Sequence, residues 1–172
     1  MRLFIAINFP DEIIESIAEI RDHLKDGALR GNFSLDTTLH LTLVFLGECD
    51  ALQTETIKTV MDETLFSPFT VMLEKVGFFK RDSGNTWWIG LKENKSLSLL
   101  QADLSERLNQ MGFVLENRRY TPHVTIGREV KMPVGFIFPK VQQENFIVTG
   151  IDLMKSERIN GKLVYTPIYS IN

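Results

Sequence analysis

Two short stretches of the chain share one pattern: His40-Leu41-Thr42-Leu43 and, further along, His123-Val124-Thr125-Ile126. In both, a histidine and a threonine alternate with apolar residues. Successive side chains of a β-strand point to opposite faces of the sheet, so each stretch predicts a strand with an imidazole and a hydroxyl on one face. The apolar residues then point into a core. The pattern takes up two of the three histidines in the sequence.

The surroundings of the two motifs repeat as well. Ile5 and His40 are 35 residues apart, and Trp88 and His123 have the same separation. In each case an apolar strand and an amphipathic helix come before the motif. This repeat predicts an α+β fold of two pseudo-symmetric lobes, each built from a β-sheet and a helix, with the motifs facing each other across a central cleft.

The remaining patterns complete the predicted element order. Helices are predicted from Pro10 to near Gly27, over 51–65, and from about Leu97 to near Gly112. Strands are predicted over Leu3–Asn8, Thr37–Leu46, Pro68–Phe79, Thr86–Leu91, His123–Arg128, Glu144–Ser156 and Leu163–Ile171. No low-complexity tract or linker interrupts the chain, so residues 1–172 are predicted to form a single two-lobed domain.

The composition narrows the classes of partner. The 172 residues carry a net charge of −3, which argues against coating of nucleic acid through bulk positive charge. A small phosphorylated ligand held by a few local arginines is compatible with it. The single cysteine, Cys49, cannot form an internal disulfide, and no apolar stretch approaches the roughly 20 residues of a membrane helix. We expect a monomeric cytoplasmic protein that does not bind membranes.

The paired motifs suit the chemistry of a phosphodiester. Imidazole has a pKa of about 6.5, so one histidine can take a proton from water while the other gives one to the leaving oxygen. The hydroxyls of Thr42 and Thr125 can donate hydrogen bonds to phosphoryl oxygens. Arg128, shortly after the second motif, can add a bidentate phosphate contact. A lone His-x-Thr is most often structural, and it is the duplication that favours catalysis.

Other candidate residues have weaker support. Arg118 lies in a basic cluster with Arg119 and Lys131, which is either a phosphate-binding feature or an ordinary solvated surface. Phe45, Trp87 and Trp88 can stack on a nucleic-acid base, although aromatic residues beside apolar strands are more often part of the core. No zinc-ligand spacing, P-loop or dinucleotide fingerprint is present, so neither a metal nor a cofactor is predicted.

On these residues the chain resembles the two-histidine phosphoesterase superfamily, and within it the RNA 2′,3′-cyclic phosphodiesterases, also called 2′-5′ RNA ligases. The resemblance extends from Arg2-Leu3-Phe4-Ile5-Ala6-Ile7 through both motifs and Arg118-Arg119-Tyr120 to Ser156, Gly161 and Tyr165. It implies a bilobal fold and metal-independent hydrolysis of a 2′,3′-cyclic phosphate to a 2′-phosphate. It also implies that His40 is the proton donor, that His123 is the proton acceptor, and that Thr42 and Thr125 bind the phosphate.

The chain departs from the family pattern at two positions. Phe33 lies where many relatives have tryptophan, and Gly127 where alanine is common. Three further functions stay open from the sequence: hydrolysis of 2′-5′-linked oligonucleotides, hydrolysis of small cyclic nucleotides, and non-catalytic binding of RNA or nucleotides. For the leading function, hydrolysis of a 2′,3′-cyclic phosphate, the expected partners are RNA ends or nucleotides with such a phosphate, and weak reversible 2′-5′ ligation is expected beside it.

Overall fold

The computed structural model describes all residues, 1–172, as two antiparallel β-sheets and three α-helices. The strands are β1 Arg2–Ile7, β2 Arg30–Phe33, β3 Leu41–Glu48, β4 Phe69–Phe79, β5 Asn85–Leu91, β6 His123–Lys131, β7 Asn145–Val148, β8 Ile151–Ile159 and β9 Lys162–Ile171. The helices are α1 Asp11–Gly27, α2 Ala51–Glu63 and α3 Lys95–Gln110. No helix is long and apolar enough to cross a membrane.

The predicted α+β architecture with two lobes is confirmed. One sheet has the strand order β3-β1-β8-β9, and the other has the order β2-β6-β5-β4-β7. In each sheet the strand that carries a motif threonine pairs with an apolar strand from the same half of the chain, β3 with β1 and β6 with β5. One continuous hydrophobic core joins the two sheets and all three helices.

The repeat in the structure is more extensive than the two motifs. β1, α1 and β3 correspond to β5, α3 and β6 at a nearly constant offset of 83 residues, which is also the separation of His40 from His123. The helices are exchanged between the halves, since α1 lies against β2 and β6, and α3 lies against β3 and β4. The two lobes therefore interlock, and neither is built from one half of the chain alone.

α1 and α2 begin at residues that stabilise a helix N-terminus. Pro10 precedes α1 in an extended conformation, and Asp11 and Glu12 lie at the positive end of the helix dipole. The side chain of Asp50 accepts a hydrogen bond from the backbone N–H of Gln53, and the side-chain oxygen of Gln53 accepts one from the backbone N–H of Asp50, which completes a capping box for α2. Each helix then buries one apolar stripe against the sheets.

The structure differs from the predicted element order at three places. Asp36–Thr38 forms a 3-10 helix rather than part of a strand, so His40 comes immediately before β3. The four-residue strand β2 was missed because only Phe33 of its residues is even half-buried. The predicted strand over Glu144–Ser156 is two strands in different sheets. The chain crosses between sheets near Gly150, where a Cβ would lie 2.6 Å from the Ile171 carbonyl.

Candidate active site

The two motif histidines occupy equivalent places, each at the start of the strand that carries its motif. His40 precedes β3 and His123 is the first residue of β6. Leu41 and Leu43 are buried in the core, as are Val124 and Ile126, so the alternation predicted from the sequence is present in the structure. Thr42 and Thr125 are half-buried on the opposite face of each strand.

The backbone around each histidine fixes the same tautomer. Nδ1 of His40 lies 2.8 Å from the carbonyl oxygen of Thr38, and Nδ1 of His123 lies 2.6 Å from that of Thr121. A carbonyl oxygen can only accept, so in both rings Nδ1 carries the hydrogen and donates it. Nε2 is then the nitrogen that can gain or lose a proton, and that of His40 lies 3.0 Å from Oγ1 of Thr42.

Each motif is held by a hydroxyl from the opposite half of the chain. Tyr120, three residues before His123, donates from Oη to the carbonyl of Thr42 at 3.0 Å. Ser34, six residues before His40, donates from Oγ to the carbonyl of Thr125 at 2.9 Å. These two hydrogen bonds, the cross-braces, run in opposite directions between the lobes. They fix the position of each motif relative to the other.

Aromatic rings surround both imidazoles. The ring of His40 is 4.8 Å from that of Phe4 and lies edge-on to Tyr165 at 5.1 Å between ring centres. The ring of His123 lies edge-on to Phe79 at 5.2 Å, and Trp88 is 6.3 Å away. These rings exclude water from one side of each histidine.

The pKa values of both histidines are lowered. For His40, burial is the main cause and brings the pKa to about 4, with smaller contributions from the charges of Arg128 and His123. For His123, burial again lowers the pKa most, followed by the charges of Arg118 and Arg128. The hydrogen bonds to the Thr38 and Thr121 carbonyls act in the opposite direction. Both imidazoles are therefore mainly neutral at pH 7 when no anion is bound.

Arg128 is the cation that the two histidines share. The charge of its guanidinium lowers the pKa of both rings. The side chain is exposed and forms no ion pair within 4 Å. An unpaired guanidinium next to two neutral imidazoles makes this point attractive to an anion.

A cavity of about 260 Å³ opens beside His123 and Thr42. Phe45 and Phe79 supply apolar walls, and Phe45 is 42% exposed. Arg118 lines the same cavity, with Nε 2.6 Å from a carboxylate oxygen of Glu116. The other lining residues are Leu43, Val44, Gln101, Ser105, Leu115, Glu116, Arg119, Tyr120 and Thr121. Its aromatic and basic lining matches the flat ring and negative charge of a nucleotide.

The structure thus brings most of the candidates from the sequence to one region and separates others from it. Four of them line the cavity: His123, Thr42, Phe45 and Arg118. His40 and Arg128 are not among its lining residues, although the charge of Arg128 lowers the pKa of both histidines. Trp87 is 2% exposed and packs against Phe78 and Phe138, so it cannot stack on a ligand. Lys131 lies outside the cavity.

Sequence reasoning missed the groups that position the histidines. Thr38 and Thr121 both lie two residues before a motif histidine, and this repetition was visible in the sequence. Their contribution is a backbone carbonyl, however, which any residue type can supply. Ser34 and Tyr120 also bind carbonyls, so no side-chain pairing in the sequence identified them.

The two departures from the family pattern lie against each other. Phe33 on β2 is directly opposite Gly127 on β6. A Cβ at position 127 would lie 2.9 Å from Val130 and 3.2 Å from the ring of Phe33, closer than ordinary van der Waals contact. Glycine therefore leaves room for the phenylalanine ring, and neither residue touches the histidines.

The fold and the site define an α+β protein in which each of two pseudo-symmetric lobes presents one His-x-Thr strand. No group of three or more His, Cys, Asp or Glu side chains is arranged to hold a metal ion. The profile of the 2′-5′ RNA ligase superfamily matches residues 9–160. The chain belongs to this superfamily, which confirms the resemblance seen in the sequence.

Similar proteins cover nearly the whole chain. An RNA 2′,3′-cyclic phosphodiesterase of Archaeoglobus fulgidus is 34% identical over 150 residues, which are 85% of this chain and 84% of that protein. An RNA 2′,3′-cyclic phosphodiesterase of Escherichia coli K12 is 31% identical over 169 residues, 97% and 93% of the two chains. The crystal structure of E. coli LigT complexed with 3′-AMP superposes with a TM-score of 0.88 at 29% identity, over 99% and 96% of the two chains.

Proposed function

We propose that this protein hydrolyses the 2′,3′-cyclic phosphate at the end of an RNA chain and leaves a 2′-phosphate. The observation that carries the proposal is the pair of imidazoles held in one tautomer by backbone carbonyls, so that Nε2 of each ring is the nitrogen that can gain or lose a proton. The charge of Arg128 acts on both rings. The relatives named as RNA 2′,3′-cyclic phosphodiesterases support the substrate class.

In the proposed reaction His123 is the general base and His40 is the general acid. Nε2 of neutral His123 takes a proton from water as the water oxygen bonds to phosphorus. The bond from phosphorus to the ribose 3′ oxygen breaks, and Nε2 of protonated His40 donates its proton to that oxygen. The phosphate then stays on the 2′ oxygen. The net reaction consumes one water and leaves the proton that His123 gained to return to His40 through solvent.

The low pKa of His40 has two consequences for the acid role. A low pKa makes the imidazolium a strong proton donor, but its population is small in the free protein. Binding of the anionic phosphate between the two rings favours the charged imidazole and so raises the pKa. The acid is therefore formed mainly when substrate is bound.

The threonines and Arg128 are proposed to hold the non-bridging oxygens. Thr42 and Thr125 donate from their hydroxyls, and Arg128 donates from its guanidinium. Negative charge on these oxygens grows during the displacement, so the donors stabilise the transition state more than the bound substrate. The cross-braces hold the carbonyls of Thr42 and Thr125, so both hydroxyls can reach the phosphate without a movement of the backbone.

The cavity beside His123 is proposed to bind the base of the terminal nucleotide. Phe45 offers a partly exposed ring for stacking, and Arg118 offers a guanidinium that is both planar and positively charged. Because the two histidines and the cavity draw on both lobes and one core, residues 1–172 are proposed to act as one domain. We further propose that the active form is a monomer, to be tested by light scattering.

A comparison of three substrates tests the proposal. Adenosine 2′,3′-cyclic phosphate, an RNA with a 2′,3′-cyclic end and a 2′-5′-linked dinucleotide are incubated with the protein, and the products are separated by chromatography. We expect turnover of the first two and formation of 2′-AMP from the first. Exclusive turnover of the 2′-5′ dinucleotide, or binding without turnover, would instead favour one of the other functions. A product that is mostly 3′-AMP would contradict the assignment of acid and base.

The reverse reaction follows from the same geometry. When a 5′-hydroxyl takes the place of water, His123 takes its proton as the hydroxyl oxygen bonds to phosphorus, and His40 donates a proton to the leaving 3′ oxygen, which gives a 2′-5′ linkage. In the opposite direction His40 takes the proton of the 3′-hydroxyl, the cyclic phosphate re-forms, and the 5′ oxygen leaves with the proton that His123 returns. We expect weak ligation of this kind, with hydrolysis dominant because water is in large excess.

A further inference from the structure

A row of polar residues crosses the β3-β1-β8-β9 sheet on the face that carries Thr42. Arg2 is directly opposite Glu48 on β3 and Ser156 on β8, and Ser156 is directly opposite Tyr165 on β9. Directly opposed residues of antiparallel strands share a face. Alternate residues of β1 also share a face, and Ala6 is opposite Thr42. The row therefore lies on the same face as the first motif.

Three donors of this row have no partner within the protein. The guanidinium of Arg2 and the hydroxyls of Ser156 and Tyr165 form no ion pair and no side-chain hydrogen bond in the chain. Glu48, the carboxylate opposite Arg2, is 3.4 Å from the N-terminal amine instead. The mechanism above uses none of these donors, so they are free to bind an external anion.

The Arg2 side chain extends toward the proposed reaction centre. Its guanidinium carbon lies 5.1 Å from the centre of the Phe45 ring, and Phe45 lies in the next row of the sheet, opposite Phe4. Successive rows on one face are about 7 Å apart, and the row of Thr42 comes next. The guanidinium thus lies over the row of Phe4 and Phe45, which is adjacent to the row of Ala6 and Thr42.

Tyr165 connects this row to the histidines. Its ring lies edge-on to His40 at 5.1 Å. Burial raises the pKa of the Tyr165 phenol, while the charges of Arg128 and Arg2 both act to lower it. The charges of both guanidiniums therefore act on one phenol, and the strand register places Arg2 in the same row as Tyr165.

We propose that Arg2, Ser156 and Tyr165 form a second phosphate site, which binds the phosphodiester immediately preceding the cyclic phosphate in an RNA chain. The inference rests on the proposed function, and it makes an oligonucleotide end a better substrate than a mononucleotide. The guanidinium matches the single negative charge and two free oxygens of a phosphodiester. The hydroxyls of Ser156 and Tyr165 donate to the same group, and the Phe45 ring supports the guanidinium from below.

The test compares the binding of two products that differ by one nucleotide, that is, by one phosphodiester and the adenosine that it carries. These are adenosine 2′-phosphate and the dinucleotide ApA with a terminal 2′-phosphate, and calorimetry gives the Kd of each. We expect the wild-type protein to bind the dinucleotide at least about tenfold more tightly, as one hydrogen-bonded charged contact provides. Arg2→Gln is expected to reduce this ratio about tenfold, and Arg2→Lys to restore part of it.

Two further variants separate binding from a structural effect. Arg81→Gln removes the same charge from an exposed turn, where the guanidinium donates only to the neighbouring Lys80 carbonyl, and is expected to keep the wild-type ratio. Tyr165→Phe keeps the ring beside His40 and removes only the hydroxyl, so the ratio is expected to fall about threefold to fivefold. The dependence of dinucleotide binding on salt is expected to be less steep in Arg2→Gln, by about 0.7 in the logarithmic slope.

Two results would overturn the inference. One is equal binding of both products by the wild-type protein. Another is an equal loss for both products in Arg2→Gln, which would show that Arg2 acts by positioning Phe45. Because binding needs no turnover, a protein that prefers the dinucleotide but hydrolyses no cyclic phosphate would contradict the proposed function and leave this second phosphate site in place.

Discussion

Replacement of His40 by asparagine is expected to change how the stability of the protein depends on pH. Asparagine keeps a donor for the Thr38 carbonyl and cannot titrate. In the wild-type protein burial lowers the pKa of His40 to about 4, whereas in the unfolded chain it returns to about 6.5. Between these values the unfolded state binds a proton that the folded state does not, so acid favours unfolding.

The size of this effect follows from the two pKa values. At about 1.4 kcal/mol for each pH unit between them, His40 removes about 3 kcal/mol from the free energy of unfolding as the pH falls from about 7 to about 4. Stability that is present above pH 6.5 is thus lost on acidification. Other groups titrate in the same range, but their contributions are common to the wild-type protein and the variant.

Urea denaturation at a series of pH values measures the effect. The free energy of unfolding of the wild-type protein is expected to fall by about 3 kcal/mol more than that of His40→Asn over this range. His23→Asn, on the exposed side of α1, serves as the matched control and is expected to follow the wild-type curve. Parallel curves for the wild-type protein and His40→Asn would refute the claim that His40 is buried in its neutral form.

Three further predictions concern activity. Thr42→Ala and Thr125→Ala are each expected to reduce kcat/KM by about 10–10³ through the loss of phosphate hydrogen bonds, and an unchanged rate would remove them from the site. Activity is expected to survive EDTA, because the two imidazoles carry both proton transfers; full loss with rescue by a divalent ion would contradict this. The pH profile of kcat/KM is expected to be bell-shaped with its maximum below about pH 6.5, since burial lowers the pKa of both His40 and His123 in the free protein. A flat profile between about pH 5 and pH 9 would exclude acid–base catalysis by the pair.

The site motifs were predictable because their signal is local. Alternation along His40–Leu43 and His123–Ile126 determines which side chains face the core, and this needs no knowledge of the rest of the chain. The equal spacing of strand, helix and motif then indicated two similar lobes. Both features are present in the structure as β3 and β6 of the two sheets.

The contacts between the lobes were not predictable in the same way. The cross-braces of Ser34 and Tyr120 end on backbone carbonyls, so no residue type in the sequence marks the acceptor. Near Gly150 the chain passes from one sheet to the other, yet the apolar pattern on either side reads as one continuous strand. Only tertiary packing separates β7 from β8, because each finds its partner strand far away in sequence.

The exposure of the aromatic residues was also not predictable from the sequence. Phe45 and Trp87 both lie in apolar strands, and the sequence offers no means to distinguish them as stacking candidates. In the structure Phe45 is 42% exposed on the cavity, whereas Trp87 is 2% exposed against Phe78. The irregular pairing of β1 with β3 changes which residues of β3 face the cavity, and simple alternation does not foresee such a shift.

The most direct test of the account is the turnover of adenosine 2′,3′-cyclic phosphate by the wild-type protein, His40→Ala and His123→Ala, followed by phosphorus NMR. The wild-type protein is expected to form 2′-AMP. Each variant is expected to lose at least about 10² in kcat, the usual contribution of a positioned general acid or base. Near-wild-type turnover by either variant would contradict the claim that two histidines share the proton transfers.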